Sequence, residues 1–142
     1  MDAFLYIYLI INHTQHDIAS LLHKKRAFMI HICRAVFVLA LFFISYGAFT
    51  PTESSQSILY LDKVVHFLAF LILTFLLDIS LRNPIYIQKY AIWFLIAYAG
   101  SIEFIQYFLP YRSAEFFDFL SDLLGILVYL YFAPKIYLRP KG

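Results

Sequence analysis

The sequence predicts an all-α membrane protein: a bundle of four transmembrane helices with both termini on the cytoplasmic side. Three observations carry this expectation: an apolar composition, four long apolar runs, and basic residues gathered in alternate links. Of 142 residues, 63% are hydrophobic, 20% aromatic and only 14% charged. A soluble domain is about a quarter charged, so this chain has too little polar surface to cover itself in water. The mean hydropathy of +0.76 agrees. A disordered chain is excluded too, because disorder needs low hydrophobicity and high net charge.

A helix crossing the hydrocarbon core needs roughly 17–25 mainly apolar residues. The first run, Ala27 to Phe49, has 23, with His31 and Arg34 near its start. Val64 to Leu81 supplies 18, Tyr90 to Leu109 supplies 20, and Phe116 to Ala133 another 18. Pro51, Pro84 and Pro110 stand in the links and Pro134 follows the last run. Each lacks the N–H that a continuing helix uses. Barrel strands are a poor alternative, since they read as segments of about ten alternating residues. Lys24-Lys25-Arg26 resembles the charged start of a signal peptide. The run behind it exceeds an h-region of about 7–15 residues, however, and no convincing A-x-A cleavage site follows, so an uncleaved span is expected.

Lysine and arginine favour the cytoplasmic side. Lys24, Lys25, Arg26, Arg82, Lys89, Lys135, Arg139 and Lys141, eight of eleven, fall on one side of this topology. Arg34 is close enough to the start of its span to snorkel to that side. Residues 1–26 read as an N-terminal cytoplasmic or interfacial segment and 27–142 as the transmembrane domain. Ala3 to Ile11 is apolar but too short to span, and His13, His16 and His23 lack helical metal-site spacing. Cys33 has no internal disulfide partner and reads as packing. A net charge of +2 gives no argument for a nucleic-acid partner.

Acidic residues segregate the other way. Asp78, at the inner end of span two, is expected to pair with Arg82 at i,i+4. Glu53, Asp62, Glu103, Glu115, Asp118 and Asp122 all fall in outer loops or outer halves of spans, with Lys63, His66, Gln106 and Arg112. Glu103 and Asp122 each lie about six residues inside a span, hence roughly 9 Å deep. Asp118, Asp122 and Gly125 share one helical face, as do Glu103 and Gln106 and also Asp62 and His66. Gly125 is expected to let a neighbouring helix approach closely. A short link makes spans three and four antiparallel neighbours. A carboxylate facing lipid costs about 2.5 kcal/mol or more, so Glu103 and Asp122 are expected to face each other inside the bundle. Asp62, Glu103, Glu115, Asp118 and Asp122 outnumber Lys63 and Arg112 by three charges. Protons held on the carboxyls, a charged His66 or a bound cation would relieve that excess.

Three stretches then carry a resemblance. Asp62-Lys63-Val64-Val65-His66-Phe67 opens span two, Glu103-Phe104-Ile105-Gln106 leads to Pro110-Tyr111-Arg112, and Asp118 to Asp122 and Gly125 opens span four. Together they are similar to the VanZ-like family pattern D-K-x-x-H-F, E-x-x-Q-x-x-x-P-x-R and D-x-x-x-N-x-x-G. Thr50-Pro51 also fits. The resemblance covers residues 24 to 142, and Asp122 stands where the family has asparagine. That exchange removes an amide donor and adds an ionisable group. The resemblance implies a multi-pass protein of the bacterial cytoplasmic (inner) membrane, some members being linked to glycopeptide resistance of the teicoplanin type.

The expected function is an outward-facing polar pocket that acts on, or binds, the headgroup of a cell-envelope lipid or lipid-linked cell-wall precursor. Membrane lipids are the expected partners. Glu103, His66, Asp118 and Asp62 are the candidate acid/base groups, with Asp62 orienting His66. Arg112, Lys63, Gln106 and Asp122 are the candidate ligand contacts, Arg112 and Lys63 for an anion. The residue pattern names neither cofactor, metal nor oligomeric state. The alternative is a non-catalytic binding or structural protein, in which Glu103–Arg112 and Asp62–Lys63 are internal pairs fixing helix packing. Tyr98, Tyr107, Tyr111, Tyr129, Tyr131 and Trp93 are expected at lipid-facing or interfacial surfaces.

Overall fold

The computed structural model describes residues 2–51, 61–81 and 83–137, with side chains from residue 18 to 133 except 19 and 23. Glu53, Arg82, the acids and histidines of the N-terminal segment, and the basic residues after span four lie outside the described side chains. Four α-helices follow in order, with no strand among the described residues: α1 (Asp2–Phe49), α2 (Leu61–Ser80), α3 (Lys89–Gln106) and α4 (Phe116–Tyr137). A single 3-10 turn, Ile85–Ile87, leads into α3.

Among the described residues, three segments are long and apolar enough to cross a membrane: Ser20–Phe49, Leu61–Ser80 and Phe116–Ala133. The third expected span is not among them, because α3 carries Lys89, Ser101, Glu103 and Gln106 within 18 residues. It also ends at Gln106 rather than Leu109, which puts Glu103 in its last turn. The first helix differs as well. It runs unbroken for 48 residues, through the segment expected to be separate, since neither glycine nor proline interrupts it before Gly47. Pro51 ends it, and Thr50 folds back with its hydroxyl on the Tyr46 carbonyl at 2.6 Å. Pro134 does not end α4, which continues to Tyr137. Membrane helices tolerate an internal proline when neighbouring groups satisfy the freed carbonyl.

The closest packing is between α2 and α4. A Cβ at Gly125 would overlap the Phe67 carbonyl oxygen and lie 2.9 Å from Leu71 N, so the absence of a side chain there sets the distance between these helices. Phe70, Leu73, Leu95, Ala99, Ile102 and Ile126 form the buried core. Elsewhere the surface is apolar: only 6% of the α1 span window is buried inside the molecule, and Phe28, Leu39, Phe42 and Phe43 are exposed. In lipid such a surface costs nothing; in water it would aggregate.

Opposite ends of the helices are fastened by different polar contacts. At one end the buried Asp78 carboxylate accepts from Ile85 N and from the Tyr129 hydroxyl, both at 2.7 Å. Arg34 Nε donates to the Ser80 carbonyl at 3.2 Å, closing the end of α2. Halfway along, the Tyr98 hydroxyl meets Ser45 Oγ at 2.8 Å and the Leu41 carbonyl at 2.9 Å. Tyr98 and Tyr129 therefore point inward to hydrogen-bond partners rather than to lipid, whereas Trp93, Tyr107, Tyr111 and Tyr131 are exposed.

Candidate functional site

The other end gathers the N-terminal turns of α2 and α4 with the last turns of α1 and α3. Asp62 is in the first turn of α2 and Asp118 in the first turn of α4, where the positive end of each helix dipole favours an acid. One turn further in lie His66 and Asp122, brought together because Gly125 lets α2 and α4 nearly touch. His66 Nδ1 is 3.0 Å from Asp122 Oδ1. A carboxylate only accepts, so an ionised Asp122 fixes the proton on Nδ1 and leaves Nε2 as the working nitrogen. The residue orienting His66 is thus Asp122, not Asp62 as the sequence reading has it. Asp62 shares a helix face with His66, and an α4 acid reaches the ring instead.

Glu103 approaches from α3. Its Oε2 accepts from the backbone N–H of Glu115 at 3.0 Å. Its Oε1 is buried without a hydrogen-bond partner among the described residues, and so is Asp122 Oδ2. Asp122 is 0% exposed. One ring nitrogen of His66 and one oxygen each of Glu103 and Asp122 lie within 4.8 Å of one another, as do donor atoms of Asp62, His66 and Asp118. The two carboxylates expected to face each other across the interior do so.

The basic residues and Gln106 are placed differently from expectation. Lys63 Nζ donates to Glu115 Oε2 at 2.7 Å and to Asp118 Oδ1 at 2.9 Å, clamping α2 to the start of α4; only the alternative packing reading gave it a protein partner, and that was Asp62. Arg112 makes no pair with Glu103. Its Nε and Nη2 donate to the Thr50 carbonyl at 3.1 and 2.8 Å, and Nη2 to the Gly47 carbonyl at 2.5 Å. These carbonyls are left over at the end of α1, where the helix offers no further donors. Gln106 is buried and donates to the Ala48 carbonyl at 3.0 Å. Arg112 and Gln106 therefore fasten the end of α3 and the link after it to carbonyls at the end of α1.

Sequence reasoning counted Glu115 in the acidic cluster but gave it no role; it closes the Lys63 clamp and donates its N–H to Glu103. Its position three residues before Asp118, at the entrance to α4, was the available signal. An open cavity of about 330 Å³ adjoins the cluster, lined by Gly100, Glu103, Ala114, Phe116 and Phe119. All but Glu103 are apolar or small. Glu103 thus borders both the apolar groove between α3 and α4 and the polar cluster.

A family model described as VanZ/LLP1 matches residues 3–137, so the likeness reaches back through the N-terminal segment that the three motifs leave out. Uncharacterized protein C11E3.10 of Schizosaccharomyces pombe (strain 972 / ATCC 24843) is 33% identical over 96 residues, which cover 64% of this chain and 56% of that protein. The match thus spans little more than half of that relative's length. No solved structure matches the chain.

Proposed function

The chain belongs to the VanZ/LLP1 family, and from that premise and the geometry of the cluster we propose that it binds a lipid headgroup and works on it by acid/base chemistry. The headgroup is that of a cell-envelope lipid or of a lipid-linked cell-wall precursor. One observation carries the reading: Glu103 lines an apolar groove and also borders the His66–Asp122 pair. An amphiphile can lay its chain against Gly100, Phe116 and Phe119 and present its polar end to His66, Glu103 and Asp122. His66, held by Asp122, is the base or acid. The buried carboxylate oxygens of Glu103 and Asp122 are acceptors, so they select a part of the headgroup that donates, such as a hydroxyl or an ammonium. Lys63 and Arg112 spend their donors inside the protein and act as positioning residues rather than anion contacts.

In the same proposal the chain spans the membrane four times, α3 included, with both termini in the cytoplasm and the pocket opening outward. The bias of eight basic residues to one side supports that orientation. The resemblance supports the bacterial cytoplasmic membrane as location and a contribution to teicoplanin-type resistance as phenotype. A second, non-catalytic reading is favoured by one feature: the contacts of Lys63, Gln106 and Arg112 are all internal, as a packing network requires. Purification from membranes with retained lipid, identified by mass spectrometry, separates the two. The proposal expects one lipid class enriched over bulk membrane and its retention reduced at least fivefold by E103Q at unchanged abundance. Retained lipid that mirrors the bulk membrane, or E103Q losses matched by lost abundance, contradicts it.

A further inference from the structure

We infer that His66, Glu103 and Asp122 form a binding site for a divalent transition-metal cation of the zinc type, with one coordination position left open toward the groove between α3 and α4. The inference rests on the same pocket as the function proposed above and refines it: with the ion bound, its open position rather than the His66 imidazole acts on the headgroup. Two overlapping groups of donors share His66, and their surroundings decide between them. In the outer group Asp118 is already compensated, with Lys63 Nζ 2.9 Å from its Oδ1, and Asp62 is exposed to solvent. A dication there would compete with an ammonium ion in place.

In the inner group no lysine or arginine is in place among the described residues, and the one contact within it is His66 Nδ1 to Asp122 Oδ1 at 3.0 Å. Asp122 is fully buried, one of its oxygens has no partner among the described residues, and Glu103 Oε1 is buried in the same condition. Two carboxylates and one imidazole lie within 4.8 Å of one another; both carboxylates ionise as they ligate, and a dication cancels the two charges that burial disfavours. Zinc ligands at about 2.1 Å in a tetrahedron stand about 3.4 Å apart, so small side-chain rotations bring these donors to bonding distance.

The donor types select the metal. Mg²⁺ and Ca²⁺ prefer all-oxygen shells, whereas an imidazole among the ligands favours zinc and its neighbours. Three protein ligands with an open fourth position is also the pattern of zinc sites that polarise a bound substrate or water. Glu103 borders the groove, so the open position lies where a headgroup would arrive.

The test uses the full chain purified in nanodiscs, stripped with EDTA and titrated with Zn²⁺, bound metal being counted by mass spectrometry. One Zn²⁺ per chain is expected, with affinity reduced at least tenfold in E103Q and in D122N and unchanged in C33S, which removes the sole thiol. A second readout needs no buried substitution: the wild type loaded with Mn²⁺ is expected to show a ¹⁴N coupling from one imidazole in pulsed EPR. No stoichiometric Zn²⁺, no nitrogen coupling, or equal affinity in folded E103Q and D122N overturns the inference. Lipid retention separates it from the broader reading. Retained lipid without zinc overturns the ion alone, and zinc without selective lipid upholds the ion while removing the headgroup.

Discussion

Gly125→Ala is the sharpest perturbation of the architecture that assembles the site. The added methyl would overlap the Phe67 carbonyl oxygen and lie 2.9 Å from Leu71 N and 3.3 Å from the Phe67 carbonyl carbon. All three are backbone atoms, so no side-chain rotation relieves the clash, and α2 must move away from α4. Overpacking of this kind costs about 1–3 kcal/mol, which at about 3 °C per kcal/mol for a chain of this size lowers Tm by about 3–9 °C. The same movement carries His66, next to Phe67, away from Asp122, one turn from Gly125, and lengthens their 3.0 Å contact. Thermal unfolding in detergent, alongside retained lipid and metal, measures both consequences. Two other glycines calibrate the result. Nothing lies within 4 Å of a Cβ at Gly47, and at Gly100 the nearest atom is Phe119 Cε2 at 3.8 Å, so G47A and G100A should unfold at or up to about 3 °C above wild type, alanine being about 0.5–1 kcal/mol better than glycine in a helix. A G125A variant as stable as G47A would refute the reasoning.

Other substitutions have separable outcomes. Asp78→Ala removes the acceptor for Ile85 N and the Tyr129 hydroxyl at the far end of the helices. It should cost about 1–3 kcal/mol in thermal unfolding without altering ligand retention by the protein that folds. Lys63→Met leaves Glu115 and Asp118 uncompensated, and membrane abundance measured by quantitative blotting should fall severalfold, with Lys63→Arg restoring most of it. Arg112→Lys keeps the charge but cannot reproduce the forked contact with the Thr50 and Gly47 carbonyls. A loss of about 1–2 kcal/mol in stability is expected, with selectivity for the retained lipid class unchanged in mass spectrometry. If Arg112→Lys abolished selectivity at full stability, Arg112 would belong to the ligand site after all.

Much of the site was legible because helical periodicity is local. Asp118, Asp122 and Gly125 had to share a face, and a glycine one turn beyond a buried acid announced the close approach that brings His66 to Asp122. The cost of a carboxylate in hydrocarbon likewise required Glu103 and Asp122 to face inward. Pairing was not legible, because it depends on which helices touch. Lys63 has Asp62 beside it in sequence, yet adjacent helical residues point apart, and the acids of α4 take the ammonium instead. Arg112 was misread for another reason: its acceptors are backbone carbonyls, which carry no residue signature. Tyr98 and Tyr129 looked like lipid-facing rings for the same lack, since their partners lie on other helices. The boundaries were misplaced where a single residue was given too much weight, as with Pro134 within α4. The apolar run of the first span hid the continuity of α1.

An experimentally determined structure of the full chain in a lipid nanodisc, at a resolution that shows side-chain carboxylates, tests the central claim most directly. The account predicts His66, Glu103 and Asp122 converging on one site, with ordered density joining the two orphaned carboxylate oxygens. Glu103 and Asp122 turned to separate lipid-facing surfaces, with no bound species between them, would contradict it.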